Sequence, residues 1–256
     1  MSTVSTVIAR RQRDVAMREQ AMLDAAQSLI QRDGLLSLQM ARVAEESGYA
    51  IGTLYKHFAS KEDLLVTLAT RNCLDRVELF ERAVAWDGGT REKMLAVVLA
   101  DLLIMREQPE HFRLAQFVWT EVVWGAASPG CRRRALAAGR PLSRLIETIA
   151  VDARARGDLP AGTRLSPAAV TMGPWLMTMG MHTLAQRQGL LDPDTALDPY
   201  RVLIQQLQYL LNGYGWQPLF DVADDAALDT LIGHVSRAVF GTDWSSIAPP
   251  PPPHLP

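Results

Sequence analysis

Hydroxyl, imidazole and ammonium groups lie close together in one short stretch of the chain. Thr53, Tyr55 and His57 each carry a side chain that can donate a hydrogen bond, and Lys61 follows four residues after the last of them. Hydroxyls, basic side chains and helix N-termini are the groups that bind the phosphates of DNA. This combination therefore predicts a surface that holds a phosphate backbone.

Residues suited to base recognition lie directly before and among these phosphate donors. An apolar side chain such as Ile51, or an aromatic ring such as that of Tyr55, can contact the methyl group of thymine in the major groove. Gly52 allows the backbone to approach closely because it has no Cβ. The residues that we predict to contact DNA are Gln39, Arg42, Ala50, Ile51, Gly52, Thr53, Tyr55, Lys56, His57 and Lys61.

The elements that must position these residues are helices. Apolar residues at steps of three and four predict a first helix over 14–33, a second over 38–47 and a two-turn third over 51–58. Gly34 and Gly48 end the first two, because glycine readily adopts the left-handed conformation. This order predicts a helix-turn-helix that presents its last helix to a major groove.

Helix signals continue along the chain and strand signals are scarce, so the sequence predicts an all-α fold. Ser60 is predicted to cap a fourth helix by accepting a hydrogen bond from the backbone N–H of Asp63. That helix is predicted to continue past Leu79 and to connect two parts of the molecule. Further helices are predicted over 90–107, 109–124, 128–157, 166–186, 198–212 and 224–240.

These signals divide the chain into three parts. Residues 1–62 are predicted to form a DNA-binding domain, in which 1–13 are either flexible or an arm that reaches DNA. Residues 63–242 are predicted to form a larger helical domain for ligand binding and dimerisation. Residues 243–256 contain five consecutive prolines and predict a proline-rich tail, with docking of a proline-binding partner as the alternative.

Charge and motifs favour a DNA-binding protein over an enzyme. Residues 1–61 hold eight Lys or Arg against six Asp or Glu, whereas the whole chain has a formal net charge of −2. This asymmetry supports a DNA-facing N-terminal part. The sequence contains no Gly-rich phosphate loop and neither H-E-x-x-H nor G-x-S-x-G, and His57 has no acid or nucleophile at a supporting spacing. We therefore expect no enzymatic activity.

Cysteine usage and hydropathy predict a cytoplasmic protein without metal or cofactor. Cys73 and Cys131 accompany no CxxC or Cys/His cluster, and both thiols are expected to be buried. Residues 165–186 carry no formal charge but include polar side chains such as His182, which favours a buried helix over a membrane span. The first residues also lack the order of a secretory signal.

The second part of the chain is rich in aromatic residues and methionine. Methionine adapts to irregular apolar shapes, so this set predicts a pocket for a small apolar ligand. Core packing is the alternative for each residue. The candidate ligand-binding residues are Phe112, Trp119, Trp124, Met172, Trp175, Met179 and His182.

Apolar residues also recur at helical spacing in the helix that follows Asp198. Together with the uncharged helix after Ser166, they predict a four-helix bundle across the two-fold axis of a dimer. The alternative is that they form internal core. The candidate dimer residues are Leu203, Leu207, Leu210, Leu211 and Tyr214.

The segment Gly48–Leu65, G-Y-A-I-G-T-L-Y-K-H-F-A-S-K-E-D-L-L, closely resembles the tetracycline-repressor (TetR) family of transcriptional regulators. The preceding R-V-A-E-E-S, and a first helix with M-L-D-A-A-Q-S-L-I that ends at Gly34, extend the resemblance over about the first quarter of the chain. The resemblance implies a homodimer that represses from a palindromic operator and is released by a small-molecule effector. It implies base contacts by Ile51 and Gly52 and contact of Tyr55 with bases or phosphate. It also implies backbone contacts by Thr53, His57 and Lys61.

Two positions depart from the family pattern. Ala50 stands where a Ser or Thr usually caps the third helix, and Gln39 stands where a hydroxyl usually begins the second. Ser37 becomes the cap if the second helix begins two residues earlier. The alternative function is a helical dimeric adaptor, or an activator without ligand control.

Overall fold

A computed structural model describes residues 3–162, 164–185 and 198–248, and within these ranges the chain forms helices and turns without strands. This confirms the predicted all-α fold. The α-helices are α1 (Thr3–Asp33), α2 (Met40–Ser47), α3 (Ile51–His57), α4 (Lys61–Leu74), α5 (Val77–Ala85), α6 (Thr90–Glu107), α7 (Pro109–Val118), α8 (Glu121–Trp124), α9 (Pro129–Arg156), α10 (Pro167–Ala185), α11 (Pro199–Gly213) and α12 (Asp225–Val235). Short 3₁₀ turns lie at Leu35–Ser37 and Trp244–Ser246, and a π turn lies at Ser236–Phe240.

The chain divides into two compact units. The first unit consists of residues 1–75 and 110–139, and the second of residues 76–109 and 140–256. The predicted boundary after residue 62 therefore falls inside α4. The segment that contains α8 belongs to the same unit as the N-terminal helices.

The first unit has an apolar core to which all of its longer helices contribute. Met22 and Ala26 lie on one face of α1, because a step of four residues returns to the same side of a helix. Leu54 of α3 belongs to the same core. Cys131 is buried there as predicted, whereas Cys73 is exposed. Later parts of the unit complete this core with Leu114, Val118, Val123 and Ala127.

Glycines end the first two helices as predicted. Gly34 follows α1 with a φ of 87° and Gly48 follows α2 with a φ of 74°, in the region that favours glycine. Ser37 does not cap α2, because its hydroxyl donates to the backbone carbonyls of Asp33 and Gly34. The helix begins at Met40, so the alternative cap at Ser37 is wrong.

Several helices differ in length from the predictions. α1 extends over residues 3–13, where the sequence predicts a flexible segment. α4 ends at Leu74 instead of continuing past Leu79, because the backbone leaves the helical conformation at Arg76 (φ −121°, ψ 21°). A turn divides the helix predicted over 109–124 into α7 and α8.

α6 forms the centre of the second unit. Leu95 and Leu99 are fully buried, and α5, α10, α11 and α12 all contact this helix. Trp216, which follows α11, is also fully buried, and its indole N–H donates to Thr90 Oγ1 at 2.9 Å. The start of α6 is thereby joined to the chain after α11.

α10, the uncharged helix, is buried on one side only. It buries Thr178 and His182 and exposes Met172 and Leu176. Across the described ranges, no helix combines the length and the apolar content needed to cross a membrane. The prolines of the predicted tail, within residues 249–256, lie outside the described residues.

Candidate DNA-binding surface

Backbone hydrogen bonds fix the turn between α2 and α3. The N–H groups of Gly48 and Tyr49 donate to the carbonyls of Glu45 and Ala44, at 3.1 and 3.0 Å. These two bonds form a Schellman motif, in which a left-handed glycine ends the helix. α3 then begins after Ala50, which has extended backbone and no side-chain cap, as predicted.

α3 has one buried and one exposed face. Leu54 and Phe58 are buried in the core of the first unit. On the other side, Ile51 and Tyr55 are 42% and 52% exposed, although both side chains are large and apolar. Their spacing of four residues puts them one turn apart on one surface. Ile51 and Tyr55 do not pack in the core, and their side chains are accessible to a thymine methyl group.

Gly52 and Lys56 lie on the same exposed side of α3. A Cβ added to Gly52 would have no neighbouring heavy atom within 4 Å, so packing within the chain does not require glycine here. Glycine inside a helix lowers stability relative to alanine. Its presence is therefore better explained by close approach of something outside the chain.

Thr53 and His57 are less accessible than a phosphate contact suggests. Both residues are partly buried. The His57 side chain is 10% exposed, and its Nδ1 lies 3.7 Å from Oε2 of Glu19. This acidic neighbour competes with phosphate for the imidazole, and contact of His57 with DNA stays a prediction.

Contacts on two sides hold the N-terminus of α4. Ser60 Oγ accepts a hydrogen bond from the Asp63 N–H at 3.1 Å, which confirms the predicted cap. The Asp63 carboxylate accepts hydrogen bonds from the Ser128 N–H and Oγ, at 2.7 and 2.8 Å. No local signal in the sequence indicates this second contact, since 65 residues separate its partners. Lys61 therefore lies on a fixed helix end, whose positive dipole adds to its charge.

Ion pairs join α2 to the end of α1. Arg42 Nη2 lies 2.7 Å from Asp33 Oδ2, and Arg32 Nη2 lies 3.2 Å from Glu46 Oε2. Desolvation of the Asp33 carboxylate opposes its ionisation, but the hydrogen bond and charge of Arg42 outweigh it and lower the pKa of Asp33. Arg42 is thus already paired within the chain. Gln39 is exposed before α2 and makes no capping bond.

The candidate ligand-binding residues are divided between the two units. Phe112, Trp119 and Trp124 belong to the first unit, and Met172, Trp175, Met179 and His182 to the second. Trp119 and Trp175 are exposed, whereas Phe112 is buried. His182 is also buried, and its Nδ1 lies 2.7 Å from the Tyr200 hydroxyl. Neither unit contains all seven candidate residues. Ligand binding by these residues stays a prediction.

Three candidate dimer residues are core residues of the protomer. Leu203, Leu207 and Leu211 are at most 1% exposed, because they lie on the face of α11 that the chain's own helices cover. They are not accessible to a partner, which corrects the prediction for these three positions. Leu210 and Tyr214 are partly buried. Apolar spacing identifies a buried face but does not show which chain covers it.

Two helices joined by this turn, the second with an exposed face, define a helix-turn-helix. Residues 22–68 match the bacterial regulatory proteins of the tetR family. The match lies within the N-terminal segment whose residues resemble that family, and it concerns the DNA-binding domain alone.

The chain is similar to two named regulators over about a third of its length. It is 34% identical over 85 residues to the transcriptional repressor KstR of Mycolicibacterium smegmatis, covering 33% of this chain and 41% of KstR. It is 30% identical over 77 residues to the fatty acid metabolism regulator protein of Bacillus subtilis, covering 30% of this chain and 40% of that protein. The chain therefore spans about two fifths of the length of these relatives.

A solved structure shares the fold over most of the chain. FadR from Bacillus subtilis, in complex with stearoyl-CoA, superposes with a TM-score of 0.56 at 18% sequence identity. The match covers 76% of this chain and 98% of that chain. The likeness concerns the fold alone.

Proposed function

We propose that this protein is a DNA-binding transcriptional regulator that reads a palindromic operator with the exposed face of α3 and represses transcription there. The observation that carries the proposal is the face formed by Ile51, Gly52 and Tyr55, which is exposed and unused by the core. The two side chains would contact base edges, and Gly52 would allow the helix backbone to approach the groove closely. The relative KstR is named a repressor, which supports repression over activation.

Backbone contacts would come from the groups around this face. Lys56 is exposed on α3, and Lys61 lies in the capped first turn of α4. Thr53 and His57 would join them if DNA displaces Glu19 from the imidazole. Such contacts carry no sequence information, but they set the affinity and its dependence on salt.

Selection of bound duplexes from a random pool tests this function. The full-length protein should enrich a palindromic sequence and retain it in a gel shift. Tyr55→Ala should lose about tenfold to a hundredfold in affinity for the selected duplex, because it removes a base contact. Val122→Ala, at a position 75% exposed in the same unit, is the matched control and should bind like the wild type.

The same selection separates the competing functions. A helical adaptor would enrich no sequence, and an enzyme would not retain DNA in a sequence-specific manner. Equal losses of affinity in Tyr55→Ala and Val122→Ala would also contradict reading by α3.

A palindromic operator requires two copies of α3 related by a two-fold axis, so we propose a homodimer. The outer side of α10 exposes Met172, Trp175 and Leu176, and the neighbouring α11 exposes Tyr209. Contiguous exposed apolar side chains are typical of protein interfaces. This outer face replaces the buried face of α11 as the candidate interface.

A charge on that face tests the dimer. Leu176→Glu should convert the dimer to a monomer in sedimentation experiments and weaken operator binding, because a desolvated carboxylate destabilises an apolar interface. Met17→Glu places the same charge on a 70% exposed methionine of the first unit and should change neither property. A dimer that survives Leu176→Glu would exclude this face.

We further propose that a small, largely apolar effector releases the operator. FadR contains stearoyl-CoA in its crystal structure, and the Bacillus subtilis relative is named for fatty acid metabolism, which supports an effector with an apolar chain. An acyl-CoA series is the first set of compounds to screen for loss of the operator complex. An activator without ligand control would keep its operator affinity with every compound that binds.

The relatives are named as regulators, and we propose that this chain has no catalytic activity of its own. Operator binding would require the protein to work in the cytoplasm, where bacterial DNA lies.

A further inference from the structure

Arg91, in the first turn of α6, is a cation that is only 5% exposed. Its Nε donates to Gln208 Oε1 at 2.9 Å, its Nη1 to the Trp216 carbonyl at 2.6 Å, and its Nη2 to the Gln208 carbonyl and Asn212 Oδ1, both at 2.9 Å. All four acceptors are neutral, and no carboxylate in the described part of the chain forms an ion pair with it. Burial lowers the pKa of Arg91 to about 10, which leaves the side chain cationic at neutral pH.

The side-chain amide of Gln208 is fixed by this arginine. A guanidinium has only donors, so the amide oxygen must face Arg91 and the amide nitrogen must point elsewhere. Gln208 is fully buried, and within residues 3–162, 164–185 and 198–248 its Nε2 meets no hydrogen-bond acceptor. A buried amide donor without an acceptor is unfavourable. An acceptor from outside the chain would satisfy it.

Both groups line one cavity of about 260 Å³ in the second unit, together with Leu219, Phe220 and Leu231. Leu219 is 59% exposed, so the cavity has an accessible side, whereas Arg91 and Gln208 lie at its buried side. The wall at Phe220 is held in place, because its N–H donates to Asn212 Oδ1 and its carbonyl accepts from Asn212 Nδ2. The cavity is therefore built from fixed groups.

We propose that this cavity binds a small organic monocarboxylate with an apolar body. The carboxylate would accept hydrogen bonds from Gln208 Nε2 and from the one N–H of Arg91 that remains unassigned, and it would neutralise the buried charge. The apolar body would pack against Leu219, Phe220 and Leu231.

The acidic residue beside the cavity selects a single negative charge. Glu92 lines the same cavity, and its Oε2 accepts the Gly89 N–H at 2.9 Å, which holds the carboxylate at the start of α6. A second carboxylate on the ligand would approach this charge and be repelled. The site is separate from the face of α3, and its test does not depend on DNA binding.

Isothermal titration of the full-length protein with benzoate and with benzamide tests the proposal. These probes have nearly the same shape and both carry an acceptor oxygen, but only benzoate is charged. Benzoate should bind saturably, and benzamide at least tenfold more weakly. Ordered water would also satisfy Gln208 Nε2, but a cavity that holds only water would bind neither probe. No saturable binding of benzoate, or equal binding of benzamide, would overturn the proposal.

A pair of variants at the cavity entrance locates the binding. Leu219→Asp adds a negative charge and Leu219→Asn adds a neutral side chain of the same shape, at an exposed position that both should tolerate. Leu219→Asp should weaken benzoate binding at least tenfold relative to Leu219→Asn. Equal affinities in the two variants, with both folded by circular dichroism, would show that benzoate binds elsewhere and would refute the assignment.

Discussion

The outward face of α3 and the interior of the second unit use apolar and polar residues in opposite ways. In α3, Ile51 and Tyr55 are apolar but exposed, although burial would stabilise the fold. In the second unit, Arg91 and Gln208 are polar but buried, although burial costs free energy. Apolar residues are usually buried and polar residues usually exposed. Positions that depart from this distribution are often selected for a function besides folding. The exposed apolar residues of α3 indicate a binding partner. The buried polar residues Arg91 and Gln208 combine a structural role with the proposed ligand binding.

Replacement of the buried cation should have the largest effect on stability. Arg91→Met leaves the acceptors on Gln208, Trp216 and Asn212 without a donor, so we expect a loss of about 3–5 kcal/mol in the free energy of unfolding, measured by urea denaturation. Arg237→Met, which breaks the exposed pair with Asp243, should cost less than about 0.5 kcal/mol. A similarly small loss for Arg91→Met would show that the buried cation has no structural role.

A partly buried carboxyl group of the second unit should affect the pH dependence of stability. Burial raises the pKa of Asp101, on α6, to about 7 from its ordinary value of 3.8. The unfolded chain therefore loses this proton at lower pH than the folded chain does. The contribution of Asp101 to stability falls as pH rises from about 4 to 7, and the cost is fully present above 7.

Asp101→Asn should remove this cost, because the amide does not ionise. We expect the variant to be about 2 kcal/mol more stable than the wild type at pH 8, with the advantage shrinking as the pH is lowered to 5. Thermal unfolding at several pH values measures it. An advantage that does not change with pH would mean that packing, and not the charge, distinguishes the two proteins.

In the first unit, a missing cap should have a smaller effect. Ala50→Ser supplies an acceptor for the free N–H groups of α3, so the free energy of unfolding should rise by about 1 kcal/mol. Ala59→Ser, at an exposed position outside a cap, should leave stability unchanged. If the two variants have the same melting temperature, the start of α3 does not need a cap.

Local features of the first unit could be predicted from the sequence. Gly34, Gly48 and the Ser60 cap were identifiable, because each acts through bonds to residues within a few positions. The exposed pair on α3 could be predicted as well, since helical spacing separates Ile51 and Tyr55 from the buried Leu54. These signals define the helix-turn-helix without any long-range information.

Contacts between distant residues could not be predicted. Nothing near Asp63 indicates that Ser128 completes its hydrogen bonds, and nothing near Arg91 indicates Gln208, which is 117 residues away. The dimer prediction failed at Leu207 for a related reason, because helical spacing cannot tell a core from an interface. Contacts of this kind, in both units, are therefore visible only in the structure.

A methyl group added to Gly52 tests whether the exposed face of α3 reads DNA. Gly52→Ala and Gly139→Ala each add a Cβ to open space in a helix, so both should raise stability by about 0.5–1 kcal/mol. The measurement is the specificity ratio, the Kd for a scrambled duplex divided by the Kd for the selected operator. We predict that Gly52→Ala lowers this ratio about tenfold, because the backbone no longer approaches the bases closely, and that Gly139→Ala leaves it unchanged. Equal ratios in the two variants would show that close approach of the α3 backbone to the bases does not contribute to DNA reading.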